Sequence, residues 1–224
     1  LEARELEIAL DSFKAGLKTK ERAFLVSYAL LDQLGTNVFS SSLGETGTKE
    51  RNTSYFLEPT RNGRTYVSEI EFSPTDNQAY IYFSQIVKSP DQKLLGVLRA
   101  RFDANIFQSF ASEFTGTLGE DSYPILLDEN LIRLAEPEKA ALQWKAVGTI
   151  PPDIFKQLAA ARRIPASETQ PGITAANPDL SRNLGANNAT TFFTAQINEG
   201  KTASSAAAVR LSSRPWTVVF TQSQ

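Results

Sequence analysis

The sequence contains no cysteine, no histidine and no methionine. Without cysteine and histidine, zinc, haem and iron–sulfur clusters lose their usual ligands. Cys–His and Ser–His nucleophile pairs are excluded on the same ground. The missing histidine also removes the commonest acid–base group near neutral pH, which argues against catalysis and for a non-enzymatic chain with no cofactor. A cysteine-free chain is compatible with export without demonstrating it. Block charge is lacking too. The formal net charge is −2 and no basic run occurs, so nucleic acid and anionic membrane surfaces are poor partners. No stretch of about 20 apolar residues is present, so nothing here spans a bilayer, and no signal peptide is visible.

What is present is an ordinary globular composition. The chain has 224 residues and a mass of 24.6 kDa, with 41% hydrophobic and 21% charged residues, enough for one sizeable core or two small ones. It opens inside a helical pattern, LEARELEIAL, and closes on a strand-like run at Trp216–Thr221. We therefore expect an excised piece of a longer protein. Apolar residues at Leu6, Leu10, Phe13, Leu17, Phe24, Tyr28 and Leu31 predict one long amphipathic helix to about Leu34, with Gly35 ending it. A rise of about 1.5 Å per residue makes it about 50 Å long, more than one small domain requires.

The segment Ala79–Phe107 carries the most information. Ala79–Val87 and Leu94–Phe102 both alternate as strands around the turn Ser89-Pro90-Asp91, and Asp103 is placed to cap the helix that follows. One face of this hairpin holds Tyr80, Tyr82, Ser84, Arg99 and Arg101, an unusual set for a face that only packs. Pairing of Arg99 and Arg101 with Glu69 and Glu71 on the neighbouring strand is the alternative to a ligand site. Before the hairpin, Val38–Arg64 reads as irregular cover with an aromatic island at Tyr55-Phe56, and Thr65–Phe72 as a further strand. A second unit begins near Ser122. Tyr123–Leu127 and Leu131–Leu134 flank a turn at Asp128-Glu129-Asn130, and a helix runs from Pro151-Pro152 to Ala161. An extended loop over Arg163–Asn188 follows, then strands at Thr190–Ile197, Ala206–Leu211 and Trp216–Thr221. The two units repeat in outline without a repeat in sequence.

The order of a long helix, Tyr55-Phe56, Tyr66-Val67-Ser68, an alternating strand, Leu95-Gly96-Val97 and Asp103 resembles the double Cache sensor domains. The stretch Tyr123-Pro124-Ile125-Leu126-Leu127-Asp128 is similar to the opening of that family's second module, and Arg214-Pro215-Trp216-Thr217-Val218-Val219 to its closing strand. The resemblance implies an α+β fold in which a long N-terminal stalk helix, residues 1–37, supports two stacked PAS-like modules, each with a central antiparallel sheet. The membrane-distal, ligand-binding module would be residues 38–115 and the membrane-proximal one residues 116–224. It further implies an extracytoplasmic domain, periplasmic or extracellular, anchored through flanking membrane helices of a sensor kinase, chemoreceptor or cyclase. Homodimerisation through the first helix, or signalling through a protein partner without a small ligand, stays open as the alternative.

Amino-acid-binding members of that family share an Arg, an aromatic pair just after it, a later Tyr, and an Asp following the Gly-Val strand. The aromatic pair matches Tyr55 and Phe56. The Arg falls on Thr53, with Arg51 two residues away; the later Tyr falls near Glu71; the Asp falls on Arg101, an alternative register that places Asp103 there needing two extra residues in the strand. A guanidinium therefore stands where the family clamps an ammonium, which favours a small anionic or oxygen-rich ligand such as a carboxylate over an α-amino acid. The expected ligand-binding set is Tyr55, Phe56, Tyr66, Ser68, Glu71, Tyr82, Ser84 and Arg101, with the tyrosines and serines adding hydroxyls and ring faces.

Overall fold

The computed structural model describes residues 15–16, 19–184, 190–197 and 203–223. The chain divides into two compact units, Leu1–Ile106 and Phe107–Gln224. In the first, a short helix α1 (Thr19–Phe24) leads directly into strand β1 (Leu25–Asp32) and then β2 (Asn37–Ser40). This corrects the long helix expected to run to Leu34; its earlier part, residues 1–14 and 17–18, lies outside the described residues. The reason is visible in the burial of β1. Ala29, Leu30 and Leu31 are all buried, so both faces of the strand are covered. Such a strand reads as an apolar run without alternation, and its spacing can imitate a helix.

Cover helix α2 (Ser54–Asn62) follows a looped segment and ends at Gly63, whose φ of 65° lets its N–H reach back to the Pro59 carbonyl. The segment expected to be irregular cover therefore contains a strand and a helix. The predicted strand Thr65–Phe72 is split into β3 (Tyr66–Val67) and β4 (Glu71–Phe72), both pairing with β5 (Ala79–Lys88). Strand β6 (Leu94–Asp103) pairs antiparallel with β5 and β1, giving the order β2-β1-β6-β5-β3 with β4 also on β5. Gly96 is required here, because a Cβ at that position would lie 2.0 Å from the Leu31 carbonyl oxygen. One face of the sheet receives α2: Phe56 packs on Leu31 and Val97, with Tyr55 and Ile86 alongside.

In the second unit α3 (Ile106–Glu113, whose first residue closes the first unit) precedes β7 (Ser122–Leu127) and β8 (Arg133–Ala135). The Asp128-Glu129-Asn130 turn is built by Asp128 Oδ1, which accepts from the N–H groups of Asn130 and Ile132, both at 2.8 Å. Helix α4 (Pro152–Ala160) starts on proline at its N-terminus. The stretch expected to be one extended loop holds a further helix, α5 (Pro178–Leu184), which Asn177 Oδ1 caps at Leu180 N, 2.9 Å. Strands β9 (Thr190–Ala195), β10 (Ser204–Arg210) and β11 (Thr217–Ser223) complete an antiparallel sheet of order β8-β7-β11-β10-β9. Both units thus place their second, first, last, penultimate and third strands in the same order. Leu180 of α5 packs on Ile125, Leu127, Val219 and Ala208.

Candidate functional site

Cross-strand register decides which residues share the helix-covered face of the first unit. Tyr82 lies opposite Arg101, Ser84 opposite Arg99, and Tyr80 opposite Asp103, while Arg101 and Arg99 lie opposite Ser27 and Ala29 of β1. Directly opposed residues project to one side of a sheet, so these polar groups form a continuous row on the covered face. Tyr55 of α2 closes over the row, stacked on Tyr82 with ring centroids 4.7 Å apart.

At the centre is Arg99, only 3% exposed. Its Nη1 donates to Ser27 Oγ at 2.9 Å, and its Nη2 meets Glu45 Oε2 at 3.0 Å and Glu50 Oε1 at 3.4 Å. Arg101 Nη2 meets the other Glu45 oxygen, Oε1, at 3.1 Å, and its guanidinium stands 5.0 Å from the Tyr80 ring centroid. Glu50 also accepts from Tyr55 Oη at 2.9 Å, Asn37 Nδ2 at 2.9 Å and Thr48 Oγ1 at 3.1 Å. The carboxylates that reach the two guanidiniums therefore come from the cover segment. Arg99, Arg101, Glu45 and Glu50 balance one another in a largely desolvated cluster, and the carboxyl groups of Asp103 and Glu71 stand further along the same row.

These surroundings shift the titrations. Burial opposes ionisation of Glu45, yet hydrogen bonding and charge from Arg99, aided by Ser40 and Arg101, outweigh it and hold the carboxyl below its ordinary range. Burial, with the Glu50 carboxylate beside it, raises the Tyr55 hydroxyl far above its ordinary value. Burial likewise raises Tyr82. Tyr80 is pushed up to about 12 by burial and by its hydrogen bond to Asp76 Oδ2, 2.7 Å. All three tyrosines stay protonated at neutral pH; Tyr55 and Tyr80 already give their single O–H to Glu50 and Asp76. Ser84 Oγ, Arg99 Nε and Arg101 Nε are buried with no hydrogen-bond partner among the described residues.

Of the eight residues expected from sequence, Tyr55, Tyr82, Ser84 and Arg101 are brought together. Tyr66 pairs with Ser84 across the strands and lines a cleft of about 550 Å³ with Glu58, Asn62, Arg64 and Thr65. Glu71 sits opposite Tyr80 at the other end of the row. Phe56 points into the core with Leu31 and Val97. The Ser68 hydroxyl is engaged by backbone, donating to the Glu69 carbonyl at 2.6 Å and accepting from Tyr82 N at 2.9 Å. Asp103 accepts from Asn105 N at 2.9 Å in the turn leading into α3. Thr53 hydrogen-bonds the Glu50 carbonyl at 2.7 Å, and Arg51 is exposed. Sequence reasoning missed Glu45 and Glu50. They stand in a segment with neither strand nor helix period, and two arginines on one strand face, each needing a counter-ion, were the only available signal.

The second unit has its own cleft of about 580 Å³, lined in part by Arg133, Lys139, Asn177, Asp179 and Gln196. Arg133 there is buried with Glu136, Nε to Oε2 3.3 Å, and desolvation pushes the Glu136 carboxyl up to about 7. Among the described residues no cluster of three metal-ligating side chains occurs, and no helix is long and apolar enough to cross a membrane.

Two units of one strand order, each with a helix laid on an antiparallel sheet, make a two-module α+β architecture. No family model matches the chain, and no curated protein sequence matches it significantly. Solved structures do. The sensor domain of the histidine kinase DctB from V. cholerae aligns with a TM-score of 0.63 at 15% identity, covering 89% of this chain and 72% of that one. The ligand-binding domain of the Campylobacter jejuni chemoreceptor Tlp3, solved with 4-methylisoleucine, aligns at TM-score 0.59 and 14% identity, covering 89% of this chain and 65% of that one. The periplasmic domain of RsbU from Chlamydia trachomatis aligns at TM-score 0.58 and 14% identity, covering 98% and 84%. At these identities the likeness is one of fold, and it agrees with the double Cache resemblance read from the sequence.

Proposed function

We propose that this chain is the extracytoplasmic ligand-sensing module of a membrane receptor, a sensor kinase, chemoreceptor or cyclase, anchored by helices flanking it. The first unit is the membrane-distal, ligand-binding module; its ligand is a small anionic or oxygen-rich molecule, most simply a carboxylate. One observation carries this reading. Arg99 and Arg101 stand side by side on the helix-covered face of the sheet, with Tyr55, Tyr80, Tyr82 and Ser84 around them. A face that served packing alone would hold apolar residues there. The fold supports the sensor role, because its neighbours are sensor and ligand-binding domains. Tlp3 and Pseudomonas fluorescens CtaA are solved with L-valine and L-alanine. In this chain a guanidinium replaces the carboxylate that would hold an ammonium, which selects against such ligands.

Calorimetric titration with acetate, pyruvate, glutarate and glycine tests the reading. The carboxylates without an amino group bind better than glycine, and Arg101→Ala weakens them at least about tenfold, the equivalent of about 1.4 kcal/mol. Unchanged affinity in Arg101→Ala would overturn the site; absence of binding across the whole panel would favour a module that signals through a protein partner.

A further inference from the structure

Resting on the reading above, we infer that Glu45 is an internal occupant of the ligand's carboxylate subsite. It is the side chain that an incoming carboxylate displaces, and it thereby sets the affinity and releases the cover loop.

The geometry separates Glu45 from Glu50. Glu45 places one oxygen on each guanidinium, 3.0 Å from Arg99 and 3.1 Å from Arg101, which is how a ligand carboxylate would bridge the pair. Its remaining side-chain hydrogen bond comes from Ser40 Oγ at 2.9 Å. Glu50, by contrast, is fixed by Asn37, Thr48 and Tyr55 as well as Arg99. Glu45 also rides on a turn between Gly44 (φ 81°) and Gly47 (φ 91°), where a side chain at either glycine would meet open space. Nothing obstructs the outer side of the turn, while Gly47 N to the Asn37 carbonyl at 2.7 Å and Asn37 N to the Thr48 carbonyl at 2.9 Å hold its base.

Charge balance makes the exchange cheap. If Glu45 leaves, Arg99 keeps Glu50, so no buried cation is stranded, and Arg101 is freed for the newcomer. One carboxylate replaces another and the cluster stays neutral. A neutral ligand cannot make this trade, and an ammonium would be repelled by Arg101. The ligand then has different partners in the two cover positions, the condition for a binding event to shift a conformational equilibrium.

The test is isothermal titration of the whole chain with acetate and glutarate. Glu45→Gln removes the competing charge and is expected to tighten binding at least about tenfold. Ser40→Ala loosens the hold on Glu45 while keeping the ion cluster, so it is expected to tighten binding about two- to fivefold and carries the test if Glu45→Gln does not fold. Adding Arg101→Ala to either variant abolishes the gain. Binding seen only after Glu45→Gln or Ser40→Ala would also support the inference. Unchanged or weaker binding in both variants, with Arg101→Ala still weakening the wild-type chain, would overturn it and leave the site reading intact. No binding in wild type, Glu45→Gln or Ser40→Ala would overturn both.

Discussion

Replacing Arg99 with methionine keeps most of the aliphatic stem and removes the charge at the centre of the row. In the wild-type chain that guanidinium is 3% exposed and serves Ser27, Glu45 and Glu50 at 2.9, 3.0 and 3.4 Å. Breaking a buried ion pair by deleting one partner costs about 3–5 kcal/mol, because the other charge is left uncompensated. Here Glu50 retains three neutral donors and Glu45 retains Arg101, so the lower end applies, about 3 kcal/mol. With a urea slope of about 1–3 kcal/mol per molar for a domain of this size, the midpoint falls by about 1–3 M. The chromophores allow the loss to be assigned. Five of the six tyrosines, Tyr28, Tyr55, Tyr66, Tyr80 and Tyr82, lie in the first unit, and both tryptophans, Trp144 and Trp216, in the second. Near-ultraviolet dichroism of tyrosine should move to lower urea while the tryptophan fluorescence transition moves less. Arg99→Met combined with Glu50→Gln should recover at least half of the loss, since it removes the stranded carboxylate while Glu45 stays paired with Arg101. A cost of under about 1 kcal/mol for Arg99→Met, or no recovery in the double variant, would refute the balanced cluster.

Other outcomes follow from the same geometry. Gly96→Ala would put a Cβ 2.0 Å from the Leu31 carbonyl; the β1–β6 pairing must open, and urea titration should show a loss of about 3 kcal/mol or more, or no soluble protein. Tyr55→Phe keeps the stack on Tyr82 and removes the 2.9 Å bond to Glu50, costing about 1–2 kcal/mol by the same assay. Glu136, ordinarily at 4.5, is raised to about 7 by burial. A raised carboxyl binds its proton more tightly when folded, so its contribution is complete below pH 4.5 and is lost as the pH climbs through about 7. The swing is up to about 3 kcal/mol. Chemical denaturation between pH 4.5 and 7.5 followed by tryptophan fluorescence should therefore lose part of its pH slope in Glu136→Gln, the remainder coming from Asp128, which burial raises to about 6; an unaltered slope would refute the assignment.

The hairpin Ala79–Phe107 was legible because its strands alternate and its turn carries Ser89-Pro90-Asp91. The same holds for Tyr123–Leu127 and the three closing strands, each bounded by polar residues. Strand β1 was not legible, since Leu25–Asp32 is covered on both faces and shows no period of two. Helices Ser54–Asn62 and Pro178–Leu184 are too short, at two turns or so, to establish a period of 3.6, and each carries a proline. In the site, Arg101 was readable as a departure from a family pattern, and its strand register with Tyr82 and Ser84 followed from alternation. Its counter-ion was not. Glu45 reaches Arg101 from 56 positions away in sequence through a loop closed by backbone hydrogen bonds such as Asn37 N to the Thr48 carbonyl, 2.9 Å, and no local pattern announces such a contact.

The two units share a strand order but not the chemistry of their covered faces, and that contrast bears on where a ligand would bind. In the second unit the face under α5 is made of Ile125, Leu127, Val219, Ala206 and Ala208, sealed by Leu180. Leu127, Ile125, Val219 and Leu180 are each fully buried, so the space is already filled. In the first unit the last strand contributes Val97, then Arg99 and Arg101, to the corresponding face. Only Val97, at the end of that row, joins Leu31 and Phe56 in an apolar core. One topology has therefore been used twice, once with the centre of its covered face given to packing and a single paired guanidinium, Arg133, on the strand beside it, and once with two guanidiniums set into the centre. Burying Arg99 costs more than a leucine would, and among the described residues the second unit carries a buried guanidinium of its own only at Arg133, where Glu136 pairs with it. The cost is intelligible if the row serves recognition, and the Glu45 and Ser40 variants put that to the test.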